Sequence, residues 1–289
     1  MADSSSIADA AERQPDRIRT LEQHAVRTAI QPLAQALTAA QAAALSQWIR
    51  DTTSGATPIG DALKRLIDYV RQLLANAFAG KGRQAQRAAE TAAFNAAQLG
   101  ASHASSLAAA MRAQPTPPVT AEPGVEAQAA AEAIPAAIEE EHTSALALLT
   151  AAGLAATGLA GLNSVFQRAR RAVGRIARGV AVAVTSAAAN AARLVARALG
   201  PGVRMLWVAE PGACPACAAY AGHHIRPGGL FPGGLSLDPQ RTVFATAITG
   251  PPRHPHCRCD LIPWSPSWPL TGIPLPALLR QRARTNRRP

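Results

Sequence analysis

The sequence predicts a mainly α-helical protein, with a helical N-terminal bundle and long helices followed by a small zinc-stapled α+β module. Three observations carry this reading. Apolar residues make up 48% of the 289 residues and aromatics only 4%. Most of the apolar content is alanine, which suits close-packed helices with small side chains. Long stretches repeat their larger apolar residues at three- and four-residue steps. All four cysteines lie near the C-terminus in two chelate-like elements, Cys214-Pro215-Ala216-Cys217 and His254-Pro255-His256-Cys257-Arg258-Cys259.

Taken in order, residues 1–17 are polar and are expected to fray. Leu21, Val26, Ile30, Leu33, Leu37, Leu45, Trp48 and Ile49 mark an amphipathic helix from Arg19 to Arg50, ended by the run from Asp51 to Gly55. A second helix carries Leu63, Leu66, Ile67, Val70, Leu73, Leu74 and Phe78, with Asp61 near its start and Gly80 at its end. An alanine-rich third helix runs from Gly82 to about Met111, completing a helical region over residues 1–113.

Residues 114–137 hold five prolines and no basic residue, the signature of a linker. A second helical region is expected over 138–203. Glu139, Glu140 and Glu141 suit a helix N-terminus. From Thr143 to Gln167 no residue is charged, a span long enough to cross a bilayer. Its alanine and glycine content gives insertion little driving force, so a buried helix packed through Gly153, Gly158 and Gly161 is the preferred reading and a membrane partner is disfavoured.

Charge is unevenly placed within the net +11. Residues 1–160 balance to −3, whereas residues 161–289 carry 17 arginines against 3 acids, a balance of +14. The C-terminal part therefore faces polyanions, and arginine's planar fork matches phosphate. Arg168, Arg171, Arg175 and Arg178 share one face of a basic amphipathic helix. Arg280, Arg282, Arg284, Arg287 and Arg288 crowd the Pro/Arg-rich segment 265–289, expected to be disordered and free to follow DNA non-specifically or to meet an acidic protein surface.

The start has no basic n-region before an apolar run, so the chain reads as cytoplasmic, where paired cysteines favour metal over disulfides. Met205 to Ala209 reads as a strand leading into the first knuckle over a module spanning 204–264. In CPAC a tight turn pre-set by Pro215 brings both sulfurs to one side. The second knuckle has more donors than one ion needs. Cys257 and Cys259, if extended, point to opposite faces, while His254 and Cys257 converge on a turn. The favoured ligands are Cys214, Cys217, His254 and Cys257, with Cys259 the main substitute and His256 a more distant one. The glycine- and proline-rich loop between the knuckles gives little apolar burial, so a structural Zn2+ is expected to order it.

Trp207-Val208-Ala209, then CPAC with Tyr220-Ala221-Gly222, then Phe231-Pro232-Gly233-Gly234, and Pro251-Pro252-Arg253 before HPHCRC resemble the C-terminal signature of the phage Mu F-like minor head proteins. The resemblance covers about residues 165–264, since Thr185 and Asn190 are also similar to that family's helical lead-in. It departs at Glu210-Pro211-Gly212-Ala213, which keeps one acid of an acidic turn, and at His256, where asparagine is common. The resemblance implies a minor virion component that meets portal and capsid proteins, assists head assembly and genome packaging or delivery, and performs no established catalysis. It implies residence in the host cytoplasm during assembly and then in the virion, in the head interior or near the portal.

Other classes find less support. A deaminase-type zinc enzyme pairs its cysteines with an upstream His-x-Glu, which this chain lacks. His24, His103 and His142 have no recognisable nucleophile beside them, and His223 and His224 flank the metal loop. A zinc-dependent hydrolase and a membrane-active or secreted effector using the Thr143 to Gln167 span remain the alternatives.

Overall fold

The computed structural model describes residues 1–52, 58–240 and 243–286. In chain order its elements are β1 (Ala2–Asp3), α1 (Ser4–Asp51), α2 (Gly60–Phe78), α3 (Lys81–Arg112), α4 (Val125–Glu132), α5 (Ile134–Leu148), α6 (Ala151–Thr157), α7 (Leu159–Ala198), β2 (Arg204–Val208), α8 (Pro215–Ala218), β3 (His224–Ile225), β4 (Asp260–Trp264), β5 (Leu270–Thr271) and α9 (Leu275–Thr285). The protein is mainly helical, with a small sheet region towards the C-terminus.

The chain forms two compact units, neither continuous in sequence. Unit 1 comprises residues 1–24, 90–130 and 180–289, and unit 2 comprises 25–89 and 131–179. Helices α1, α3 and α7 each contribute a segment to both. Residues 114–137, expected to be a linker, therefore supply material to both units. Within this stretch Val125–Glu132 forms α4, and Ala121, Ala127 and Ala131 are buried.

In unit 2, α2 lies against α5 and α6. Its apolar face, from Leu63 through Leu66, Ile67, Val70 and Leu74 to Phe78, is buried as the helical spacing requires. The uncharged span from Thr143 to Gln167 is not one helix. It is divided among α5, α6 and the start of α7, with breaks at Leu149–Thr150 and at Gly158, which has φ +57°. Thr150 caps α6 by accepting a bond from the Gly153 N–H at 3.0 Å. Among the described residues one helix, Leu159–Ala198, is long and apolar enough to cross a membrane, and 78% of its apolar window is buried inside the molecule.

The three acids expected at a helix N-terminus sit instead in the body of α5. Glu141, 2% exposed, is held by Arg175 Nε at 2.9 Å and Arg168 Nη2 at 3.3 Å.

In unit 1 the sheet runs β3-β2-β4, antiparallel throughout, with Leu206 opposite both His224 and Ile262. One core gathers Ile7, Ala8 and Ala11 of α1, Leu107 and Met111 of α3, Leu206 and Val208, Ile262 and Trp264, and Leu275 and Leu279 of α9. Small residues let helices approach closely here. A side chain at Gly100 of α3 would place its Cβ 2.6 Å from the Ala188 carbonyl oxygen of α7, so only glycine fits.

Two expectations about the ends are corrected by this core. Residues 1–17 do not fray, because α1 begins at Ser4 and Ile7, Ala8 and Ala11 are buried, while β1 pairs in parallel with β5 through Ala2–Leu270 and Asp3–Thr271. Nor is the arginine-rich segment disordered through residue 286, since Leu275–Thr285 forms α9. Pro276 occupies the first turn of α9, where a missing N–H costs nothing, and Leu275 and Leu279 anchor the helix. Arg282 bonds Asp9 at 2.6 Å, Glu12 at 3.0 Å and Ser5 Oγ at 2.9 Å.

Candidate metal centre

Both knuckles are built on short, locally determined turns. Cys214 is the N-cap of the four-residue helix α8 with an extended backbone, and Pro215 follows in the first turn. The Ala218 N–H returns to the Cys214 carbonyl at 2.9 Å, which carries Cys217 round to the same side as Cys214. In the second knuckle the Cys257 N–H bonds the His254 carbonyl at 2.9 Å, closing a turn.

Five donors converge. Sulfur and nitrogen atoms of Cys214, Cys217 and His254 all lie within 4.8 Å of one another, and so do the sulfurs of Cys217, Cys257 and Cys259. Cys217 belongs to both groups. All four cysteines are free, and Cys217, Cys257 and Cys259 are buried. The Cys217 and Cys257 sulfurs stand 3.7 Å apart, and Cys214 Sγ is 3.4 Å from His254 Nε2. This Cys/His cluster could hold a metal ion.

Two sequence expectations divide at this point. His256 is exposed and lies outside both donor groups. Cys259 is a full member of the cluster, against the expectation that it turns away from Cys257. The alternation rule assumed extended chain, whereas β4 begins only at Asp260 and residues 257–259 are irregular.

The electrostatics of the cluster pair thiolates with donors. Cys214 is lowered from 9.0 to about 4, first by hydrogen bonding with Cys217 and then, against burial, with His254. His254 is correspondingly raised by its bond to Cys214. Cys257 is held well below the ordinary thiol range by hydrogen bonds from Cys217 and Cys259. Cys217 is raised by donating to Cys214 and its other neighbours, and Cys259 is raised mainly by burial. The two thiols held low, Cys214 and Cys257, belong one to each donor group, with Cys217 common to both.

Around the donors, a set of side chains fixes the second knuckle. Arg258 makes a two-pronged pair with buried Glu22, and its backbone N–H bonds Glu210 Oε1 at 3.3 Å. Glu210 Oε2 also meets Arg19 Nη2 at 3.0 Å. Burial raises the Glu210 carboxyl, while the bonds from Arg258 and Arg19 oppose that rise.

The intervening loop is less poor in apolar burial than the sequence suggested. Trp207, Tyr220 and Phe231 form a buried aromatic trio, with ring centres 5.1 Å apart from Trp207 to each of the others. Tyr220 donates its hydroxyl to the Pro232 carbonyl. Arg253 lies over the Tyr220 and Phe244 rings and donates to the carbonyls of Thr246 and Phe244. Gly222, at φ +72°, lies so close to the Pro276 carbonyl that no side chain fits.

The arginines expected to contact anions are placed variously. In unit 2 a groove of about 570 Å³ is lined by Arg168, Arg170, Arg171, Arg175 and Arg178 with Glu141. Arg168 and Arg175 are committed to Glu141, whereas Arg171 and Arg178 have no acidic partner among the described residues. On α9, Arg280 and Arg284 are exposed and Arg282 is occupied by Asp9 and Glu12. Arg287 and Arg288 lie outside the described residues.

His142 and His224 serve packing. His142 stacks on Phe78 at 4.6 Å, and His224 meets Arg204 Nη1 at 3.1 Å and the edge of Trp264. Asn190, flagged by the resemblance, donates to the Glu122 carbonyl at 3.0 Å, and Thr185 is buried. Sequence reasoning gave Glu22, Glu210, Arg253 and Arg258 no role at the site. The resemblance marked Glu210 and Arg253 as motif positions, and Arg258 lies inside the second knuckle. Compared with protein-family models, curated proteins and solved structures, the chain matches none.

Proposed function

We propose that this chain is a minor head protein of a tailed phage or prophage, assisting head morphogenesis and genome packaging or delivery near the portal, with a structural zinc ion in its C-terminal module. The carrying observation is the convergence of CPAC and HPHCRC into one largely buried donor cluster. The role in the head rests on the resemblance over residues 165–264, and the cluster supports it by joining the two elements that carry that resemblance.

The donor set fits zinc. Tetrahedral coordination with Zn–S bonds of about 2.3 Å separates two sulfurs by roughly 3.8 Å, close to the 3.7 Å between Cys217 and Cys257. Soft thiolates with an imidazole favour zinc over hard oxygen-seeking cations. Cys214, Cys217 and Cys257 would hold it, with the fourth position taken by His254 or Cys259. Five protein donors for four positions leave no place for a substrate water, so the ion's contribution is folding free energy and not catalysis.

Portal and capsid proteins are the proposed partners, with non-specific DNA contact through the unpaired arginines of α7. Co-sedimentation of the purified chain with portal rings and with procapsids of the same phage tests the reading. Co-sedimentation with either supports it. Absence from both, together with absence from purified virions, overturns it.

A further inference from the structure

The first turns of α1 and the C-terminal half of α3 enclose a cavity of about 520 Å³ within unit 1, inside the size range of roughly 300–1,000 Å³ typical of small-molecule sites. Its lining is chemically divided. Ile7 and Leu107 supply apolar wall. Gln14 is 0% exposed, and neither its Nε2 nor its Oε1 has a hydrogen-bond partner. His103, in the same wall, has an Nε2 without a hydrogen bond and a nearest acid, Asp260, at 3.9 Å.

Buried polar atoms are nearly always satisfied in folded proteins, and those that are not point to water, an ion or a ligand. The sign of that ligand follows from the rim. Arg13 and Arg17 are exposed, one helical turn apart on one face, and neither has a carboxylate partner among the described residues. Burial first, and then Arg17 and Arg13, oppose protonation of His103, and the lining sets two guanidiniums against one carboxylate, Asp3. Asp3, the acid in the lining, already accepts from the Ser6 N–H at 3.1 Å and the Ser6 hydroxyl at 3.4 Å.

We propose that this cavity binds a small hydroxylated organic acid. Its carboxylate sits on Arg13 and Arg17, its apolar body lies against Ile7 and Leu107, and its polar end hydrogen-bonds Gln14 and His103. Gln14 supplies an N–H to an oxygen acceptor and an oxygen to a hydroxyl, so one ligand of this class meets both of its open positions. The site is separate from the Cys/His cluster and stands whether or not the chain is a head protein.

The test titrates 2-hydroxyhexanoate into the full-length, 15N-labelled chain and follows the Gln14 side-chain amide and the His103 ring by NMR. A saturable shift of both signals is expected. Inorganic phosphate, which has charge but no apolar body, should bind about tenfold more weakly or worse. Arg13→Gln with Arg17→Gln should weaken 2-hydroxyhexanoate by about tenfold or more, and these exposed positions leave the core untouched. Gln14→Leu, checked for an unchanged circular dichroism spectrum, should weaken it as well. The proposal is overturned by an absence of saturable shifts, by phosphate binding equally well, or by undiminished affinity in the double arginine variant.

Discussion

Arg258 and Glu22, 236 residues apart in sequence, form a two-pronged ion pair with Nε–Oε2 at 2.7 Å and Nη2–Oε1 at 2.8 Å. The pair ties the second cysteine knuckle to helix α1. Side-chain exposures of 18% and 6% mean that neither charge can be left alone cheaply. Glu22→Ala is expected to lower unfolding free energy by about 3 kcal/mol, because it strands the guanidinium. Glu22→Leu combined with Arg258→Met should recover most of that loss, as apolar replacements of buried pairs commonly do. Urea denaturation of both variants measures the difference.

Cys217 is shared by both donor groups, whereas His254 and Cys259 each belong to one. The chain should bind about one zinc. Cys217→Ser or Cys257→Ser should lower zinc affinity by more than about 100-fold, beyond what loss of an outer partner produces. His254→Ala and Cys259→Ser should each retain the ion more weakly, and the two together should lose it. Metal analysis after dialysis against a chelator series reads the outcome for all five variants, and removal of the ion should open residues 204–264 to protease.

His103 and Asp260 predict opposite responses to acid. Burial, with Arg17 and Arg13, lowers His103 from 6.5 to about 4, so its folded form binds fewer protons and stability is lost as pH falls from 6.5 to 4. Burial raises Asp260 from 3.8 to about 7, so its contribution is full below 3.8 and is lost as pH rises through 7. The two effects nearly cancel between pH 4 and 6.5, each amounting to on the order of 3 kcal/mol across the whole window. His103→Phe should therefore make the protein more stable as pH falls through this window, and Asp260→Asn should make it less so. Thermal melts across the window decide the sign.

Among the described residues Arg171 and Arg178 of the groove have no acidic partner, Arg170 bonds the Gln41 side chain, and Arg175 is bound to Glu141. Arg171→Gln with Arg178→Gln should leave the melting temperature unchanged while reducing the salt slope of DNA retention by about 2. Arg175→Gln should lower the melting temperature, because Glu141 is buried and loses a partner. Removal of residues 275–289 should unfold unit 1 instead of merely weakening DNA retention, since it strips Leu275 and Leu279 from the core.

Local signals were the legible ones. Asp61 and Gly80 bracketed α2 to within a residue or two, and the CPAC and HPHCRC spacings named four of the clustered donors, with Cys259 as the main substitute. What sequence reading missed depends on distant partners. Ile7, Ala8 and Ala11 look too sparse to order the first residues, until α9 and β4 cover them. Leu275 and Leu279 are hidden among prolines and arginines, with too short a period to announce a helix. Glu141 reads as a helix-terminal charge because nothing in the sequence indicates that Arg168 and Arg175 enclose it.

The parallel pairing of Ala2 and Asp3 with Leu270 and Thr271 has a consequence for biosynthesis. Every residue of unit 2 has been polymerised by position 179, so that unit can assemble on the ribosome. The opening turns of α1 must instead wait for a strand made some 90 residues later still. At roughly 5–20 residues per second, the whole interval from residue 3 to residue 271 is on the order of tens of seconds. Until late in that interval Ile7, Ala8 and Ala11 have Leu107 and Met111 of α3 beside them but lack the cover of β4 and α9.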